Sequence, residues 1–139
     1  MDHNSQLIET ARKWIGVRWV HQGRSRQQGV DCVGLCHCVA TECGISVPDI
    51  QGYSRRQDGS ALMALLNTSL ASIPVRAAGV GDIAVFKDMG YPVHMGILSC
   101  QSGTATVIHA HARRRQVLEE ALAPYGQPFA CFRILKGEK

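Results

Sequence analysis

Long apolar runs are absent from this sequence. No stretch approaches the roughly 20 consecutive apolar residues that a membrane-spanning helix needs, so no such helix is expected. The N-terminal MDHNSQLIETARKW lacks the basic, apolar, small-residue order of a secretory signal and has the pattern of an amphipathic helix. Synthesis in the cytoplasm is therefore expected, where thiols stay reduced. Aromatic residues are scarce, at 6%, and few are interleaved with the only dense basic run, Arg113-Arg114-Arg115. That scarcity argues against a stacking platform for single strands, and the run reads as a solvated turn. Neither nucleic acid nor membrane is expected as a partner, although a net charge of +4 suits an anionic polymer. Internal repeats and low-complexity linkers are also missing. The expectation is one domain over residues 1–139, monomeric, and large enough to bury a core without metal or disulfide staples.

What is present divides into a helical first half and a strand-rich second half. Leu7, Ile8, Ala11, Trp14 and Ile15 recur at helical spacing over residues 5–15, with Ser5 as a candidate cap. The glycine-bounded stretch GVRWVHQGRSRQQG reads as a loop. VDCVGLCHCVATECG follows as a buried helix, with Asp31 as its N-cap, Cys32 as its first residue and Gly44 as its stop. VPDIQGYSRRQDG is loop-like, and residues 60–73 form a further amphipathic helix. GDIAVFK, HMGILSC, TATVIHAHA and FACFRIL then read as strands, and RQVLEEAL as another short one. Helices followed by a run of strands predict an α+β fold, its antiparallel sheet covered by helices on one side.

Four of the six cysteines crowd into Cys32–Cys43, which is not a disulfide framework. Zinc is disfavoured, because Cys32 and Cys36 can share a helix face but no second close pair exists. A C-x-x-C redox motif is missing. No metal and no cofactor are expected. Cys36, Cys38, Cys43, Cys100 and Cys131 lie in apolar runs and read as packed thiols, and His37 as a surface or packing histidine.

Cys32 differs by position. In the first turn of a helix, free N–H groups and the macrodipole favour an anion, which predicts a depressed thiol pKa and first labelling by iodoacetamide at slightly acidic pH. The same amides suit an oxyanion. Position alone leaves another core thiol equally open. A nucleophilic cysteine needs a base. His94 opens the HMGIL strand, and His109 and His111 alternate along one strand onto one face. A hairpin of these strands would bring one of them beside His94, completing a Cys-His arrangement with an orienting group.

The ordered set GVRW, GVDCVGL, GDIAVF, HMGIL and VIHA resembles the NlpC-type cell-wall peptidases, a compact branch of the papain-like cysteine peptidases. The resemblance runs from about Ala11 to Ile134. The segments RWVHQGRS, GYSRRQDG and FACFR are similar to the phage and prophage tail-associated branch, which implies phage tail proteins as partners and a virion tail as a location. The resemblance implies Cys32 as nucleophile, His94 as general base and acid, and His109 as the residue orienting His94, with His111 as its competitor. It also implies Trp19, Asp31 and His21 around the oxyanion and substrate. Trp19 stands where the family has a tyrosine, and core packing is an equal reading of it. Val33 replaces a common serine after the nucleophile, His21-Gln22 replaces an aromatic-glycine pair, and the segment 46–80 is long enough to wall the groove. The implied function is hydrolysis of amide bonds in peptidoglycan stem peptides, at the γ-D-glutamyl to diamino-acid link. An idle tail-assembly or binding module and a Cys-His acyltransferase or amidase are the alternatives.

Overall fold

The structure, a computed structural model, describes residues 3–49, 52–53, 59–88 and 91–135. Helix α1 runs His3–Arg12 and buries Leu7, Ile8 and Ala11. It starts ahead of Ser5, which sits inside the helix and is not its cap. Two two-residue strands, β1 (Arg24–Ser25) and β2 (Gly29–Val30), pair antiparallel within the stretch expected to be loop. Helix α2 is Cys32–Glu42. Asp31 caps it in extended conformation, and Gly44 follows with φ +78°, a conformation that favours glycine.

Helix α3 is Ser60–Ser69, shorter than its sequence pattern predicts. The chain then turns into strand β3 (Ala71–Ile73), which pairs with β8 (Ala130–Arg133). Tertiary pairing overrides helix propensity here, because the open edge of β8 offers backbone partners that a last helical turn would leave unmet. Strands β4 (Ile83–Asp88), β5 (Tyr91–Gln101), β6 (Thr104–His111) and β7 (Gln116–Ala121) complete an antiparallel sheet of order β3-β8-β4-β5-β6-β7. The loop expected at 47–59 and the groove wall expected at 46–80 include residues 50–51 and 54–58, which lie outside the described residues.

Strand alternation splits the sheet into two faces. Ile83, Val85, Met95, Ile97, Ile108, Ala110 and Phe132 join the helices in the main core. Ala84, Phe86, Leu98, Val107 and Cys131 point the other way, into a smaller cluster against Ile73, Val75 and Tyr125. The helices therefore cover one face, as an α+β papain-like fold of the NlpC type requires. Asp82 of the GDIAVF segment is 1% exposed; it accepts from the Gly79 amide at 2.8 Å and takes both arms of Arg133 at 3.0 Å. That aspartate joins the turn before β4 to β8, which fixes the frame on which β5 and β6 stand.

Candidate active site

The N-terminus of α2 is anchored through Asp31, which is 4% exposed. Its Oδ1 accepts from the Gly34 amide at 2.8 Å and from Arg24 Nη1 at 3.1 Å. Its Oδ2 accepts from the Gln22 amide at 2.7 Å and from the Tyr53 hydroxyl. A carboxylate has about four acceptor positions, so all of them are committed here. Asp31 thus organises the site, and no acceptor of it is left to read a substrate amine. Gly34 is required for this packing: a Cβ there would lie 2.1 Å from the Gly23 carbonyl oxygen.

Cys32 is half-buried at the first position of α2. Burial, then the charge of Asp31, push its thiol up to about 12, while hydrogen bonding from the Met95, Val33 and Cys32 backbone amides pulls the other way. The expectation of a depressed thiol is thus reversed. The helix terminus does contribute, but desolvation of the anion outweighs it. The Met95 amide directed at this thiol places Cys32 beside the strand position that follows His94.

Strand β5 begins at Tyr91, earlier than expected, so His94 is not a strand end; a register shift between Phe86 and Lys87 of β4 adjoins it. His94 pairs with Phe86 across the ladder. Its Nε2 lies 2.7 Å from His109 Nδ1, with ring centroids 4.9 Å apart and planes at 71°. Burial lowers His94 to about 3, aided by His109 and His111 and opposed by Glu120. His94 is therefore a neutral base at ordinary pH. The approach of the two rings needs Gly96: a Cβ there would stand 2.9 Å from His109 Cβ and 2.6 Å from Val107 Cγ2.

His109 is 2% exposed, and burial lowers its pKa against the opposing effect of Glu120. Its Nε2 meets Glu120 Oε2 at 2.7 Å, and the Tyr125 hydroxyl donates to the same oxygen at 2.7 Å. His111 shares the face, its ring 5.4 Å from that of His109, but its Nδ1 accepts from the Arg114 amide at 3.1 Å. Between the two candidates, the hydrogen bond to His94 belongs to His109. A pocket of about 300 Å³ opens here, lined by Phe86, Lys87, His94, His111, Arg113 and Tyr125 among others. Lys87, Arg113 and the histidines supply cationic and hydrogen-bonding groups beside the apolar surfaces of Phe86, Ala112 and Tyr125.

Trp19 is half-buried against the main core; its amide donates to the Arg115 carbonyl at 3.0 Å, and the Arg115 guanidinium sits 5.8 Å from its ring. His21 stacks edge-on against Tyr53, 5.5 Å between centroids, and its Nε2 lies 3.1 Å from the Tyr53 carbonyl. Val33 is 5% exposed and packs into the main core. Cys36 and Cys131 are buried and Cys38 and Cys43 half-buried, but Cys100 is exposed, correcting its expected packing. It sits near the β5–β6 turn, where an apolar run does not imply cover. Among the described residues, no group of three or more His, Cys, Asp or Glu side chains is gathered as a metal site.

The sequence alone does not mark Arg24, Tyr53, Glu120 or Tyr125 as site residues. Glu120 had a faint signal: β6–β7 pairing sets Leu118 opposite His109, so Glu120 is a diagonal neighbour on the same face. Register alone reveals this, and register is not visible in a short VLEEAL run.

The profile described as NlpC/P60 family matches residues 16–131. No curated protein sequence matches the chain. Solved structures with the same fold include the NlpC/p60 domain of the peptidoglycan hydrolase SagA, 21% identical, with a TM-score of 0.67 over 94% of this chain and 98% of that one. An NlpC/P60 family protein from Bacillus cereus is 21% identical with a TM-score of 0.72, over 96% of this chain but only 41% of its own length. RipD from Mycobacterium tuberculosis, described as a non-catalytic NlpC/p60 domain protein adapted to peptidoglycan binding, is 14% identical with a TM-score of 0.66, over 97% and 99%. The chain thus spans less than half of some relatives and nearly all of others.

Proposed function

Because this chain belongs to the NlpC/P60 family, we propose that it is a cysteine peptidase cleaving amide bonds in peptidoglycan stem peptides, at the γ-D-glutamyl to diamino-acid link. The observation that carries the reading is the 2.7 Å hydrogen bond between His94 Nε2 and His109 Nδ1, with the Met95 amide turned to the Cys32 thiol. A hydrogen-bonded histidine pair, next to the strand position whose amide meets a helix-terminal thiol, is the arrangement that Cys-His catalysis needs.

Cys32 and His94 are both neutral at rest. As the thiol attacks the scissile carbonyl carbon, its proton passes to His94, and the Cys32 backbone N–H receives the developing oxyanion. His94 then protonates the leaving amine, and a water molecule, activated by the same ring, hydrolyses the thioester. The cationic pocket beside His94 suits the carboxylates of stem peptides. Association with a phage or prophage tail is the finer part of the proposal; it rests on RWVHQGRS, GYSRRQDG and FACFR, and mass spectrometry of purified virions from the host tests it.

The deciding experiment digests purified peptidoglycan with the wild type and with Cys32→Ala, reading products by mass spectrometry. Release by the wild type alone is expected. Equal release by both, or none by either, would remove the peptidase reading and favour a binding role.

A further inference from the structure

Beyond the histidine pair, the hydrogen bonding continues to Glu120 and Tyr125. An ionised carboxylate only accepts hydrogen bonds, so the 2.7 Å contact of Glu120 Oε2 with His109 Nε2 requires the proton on that nitrogen. A neutral imidazole carries one N–H, so His109 Nδ1 is the acceptor. It faces His94 Nε2 at 2.7 Å, which must then carry a proton. The lone pair of His94 is thereby left on Nδ1, the atom free to take a proton from a thiol.

Without Glu120 the same two rings can bond in the opposite sense, His109 Nδ1–H to His94 Nε2. His94 Nδ1 would then carry the proton and be useless as a base. Tyr125 holds the carboxylate in place: its hydroxyl donates to the same Oε2 at 2.7 Å, and its ring stands edge-on to His109 at 5.4 Å. Among the described residues, the other ionisable groups at the pair and its pocket are His111 on β6, Lys87 and Arg113, and none of these supplies negative charge.

We propose that Glu120, held by Tyr125, is a positioning residue that sets the tautomers of His109 and His94 and offsets the positive charge on His94 when it takes the Cys32 proton. This rests on the reading of Cys32 and His94 as nucleophile and base. The proton moves from Cys32 Sγ to His94 Nδ1; the Nε2 protons of both rings stay where they are, and Glu120 remains ionised.

The test uses the full chain with 15N-labelled histidine and ring-nitrogen NMR at neutral pH, beside hydrolysis kinetics on a stem-peptide fragment. In the wild type, both His94 and His109 should be protonated on Nε2 and bare on Nδ1. Glu120→Ala should turn each ring into a mixture of tautomers and lower kcat about 10- to 100-fold, with KM within about twofold. Glu120→Gln, whose amide can accept or donate, should also give mixed tautomers, and Glu120→Asp should restore Nε2–H. The Glu120 side chain is 25% exposed, so these variants should keep the fold, which amide dispersion checks. Retention of both Nε2–H tautomers in Glu120→Ala and Glu120→Gln, or a kcat within twofold of wild type, would overturn the proposal. If the wild type cleaves no peptidoglycan, the peptidase reading fails by itself, and the tautomers still decide the role of Glu120.

Discussion

Alkylation of Cys32 as a function of pH probes the resting state of the site. The thiol is raised to about 12, chiefly by burial and then by Asp31. At pH 7.5 a thiol with an ordinary pKa near 9 is about 3% thiolate, whereas one near 12 is about 0.003%, a loss of about 1,000-fold in reactive form. The stronger intrinsic nucleophilicity of the more basic thiolate returns about 15- to 30-fold over three pKa units. Cys32 should therefore react with iodoacetamide about 30- to 60-fold more slowly than an ordinary thiol. Its rate should rise about tenfold per pH unit from pH 6 to 9, with no plateau, as expected for a thiolate minor throughout that range. Exposed Cys100 should be labelled ahead of it. Peptide mass spectrometry after timed quenching reads each cysteine separately. Cys32 labelled first at pH 6, with a rate already level, would mean a preformed thiolate–imidazolium pair and would refute the argument that desolvation dominates.

Asp31→Asn keeps the shape but turns an amide donor toward Arg24 or Tyr53. Breaking this buried ion pair should cost about 3–5 kcal/mol, seen as a lower urea midpoint; a loss under about 1 kcal/mol would show that the network is dispensable. Half-buried, neutral His94, lowered to about 3, should add stability that is full above the unfolded value near 6.5 and is lost as pH falls toward 3. The slope from this residue is up to about 1.4 kcal/mol per pH unit, and His94→Gln should flatten it in urea titrations across that window. Gly96→Ala should destabilise by about 1–3 kcal/mol through overpacking. It should also lower kcat by displacing His109; unchanged kinetics would show that the approach of the two rings is not critical.

Much of the frame was legible in the sequence because local chemistry decides it. Asp31 caps α2 because a short carboxylate satisfies a first-turn amide, and Gly44 ends it because glycine tolerates positive φ. The alternation of His109 and His111 placed both on one face without any knowledge of what lay opposite. Residues 60–73 depart from the helix their spacing predicts for a complementary reason. Helical spacing extends beyond Ser69, and only the exposed edge of β8 turns Ala71–Ile73 into a strand.

What the chain determines by itself is which groups stand at element ends and which share a strand face, since these depend on neighbours within a few residues. Tertiary structure alone decides which histidine bonds to His94 and whether Asp31 has a lone pair to spare. It also sets whether a thiol at a helix terminus is acidic or basic. Each of these depends on partners from distant segments and on how much water is excluded around a charge. A helix terminus favours the Cys32 thiolate, but the burial built by β5 and the charge of Asp31 reverse the sign.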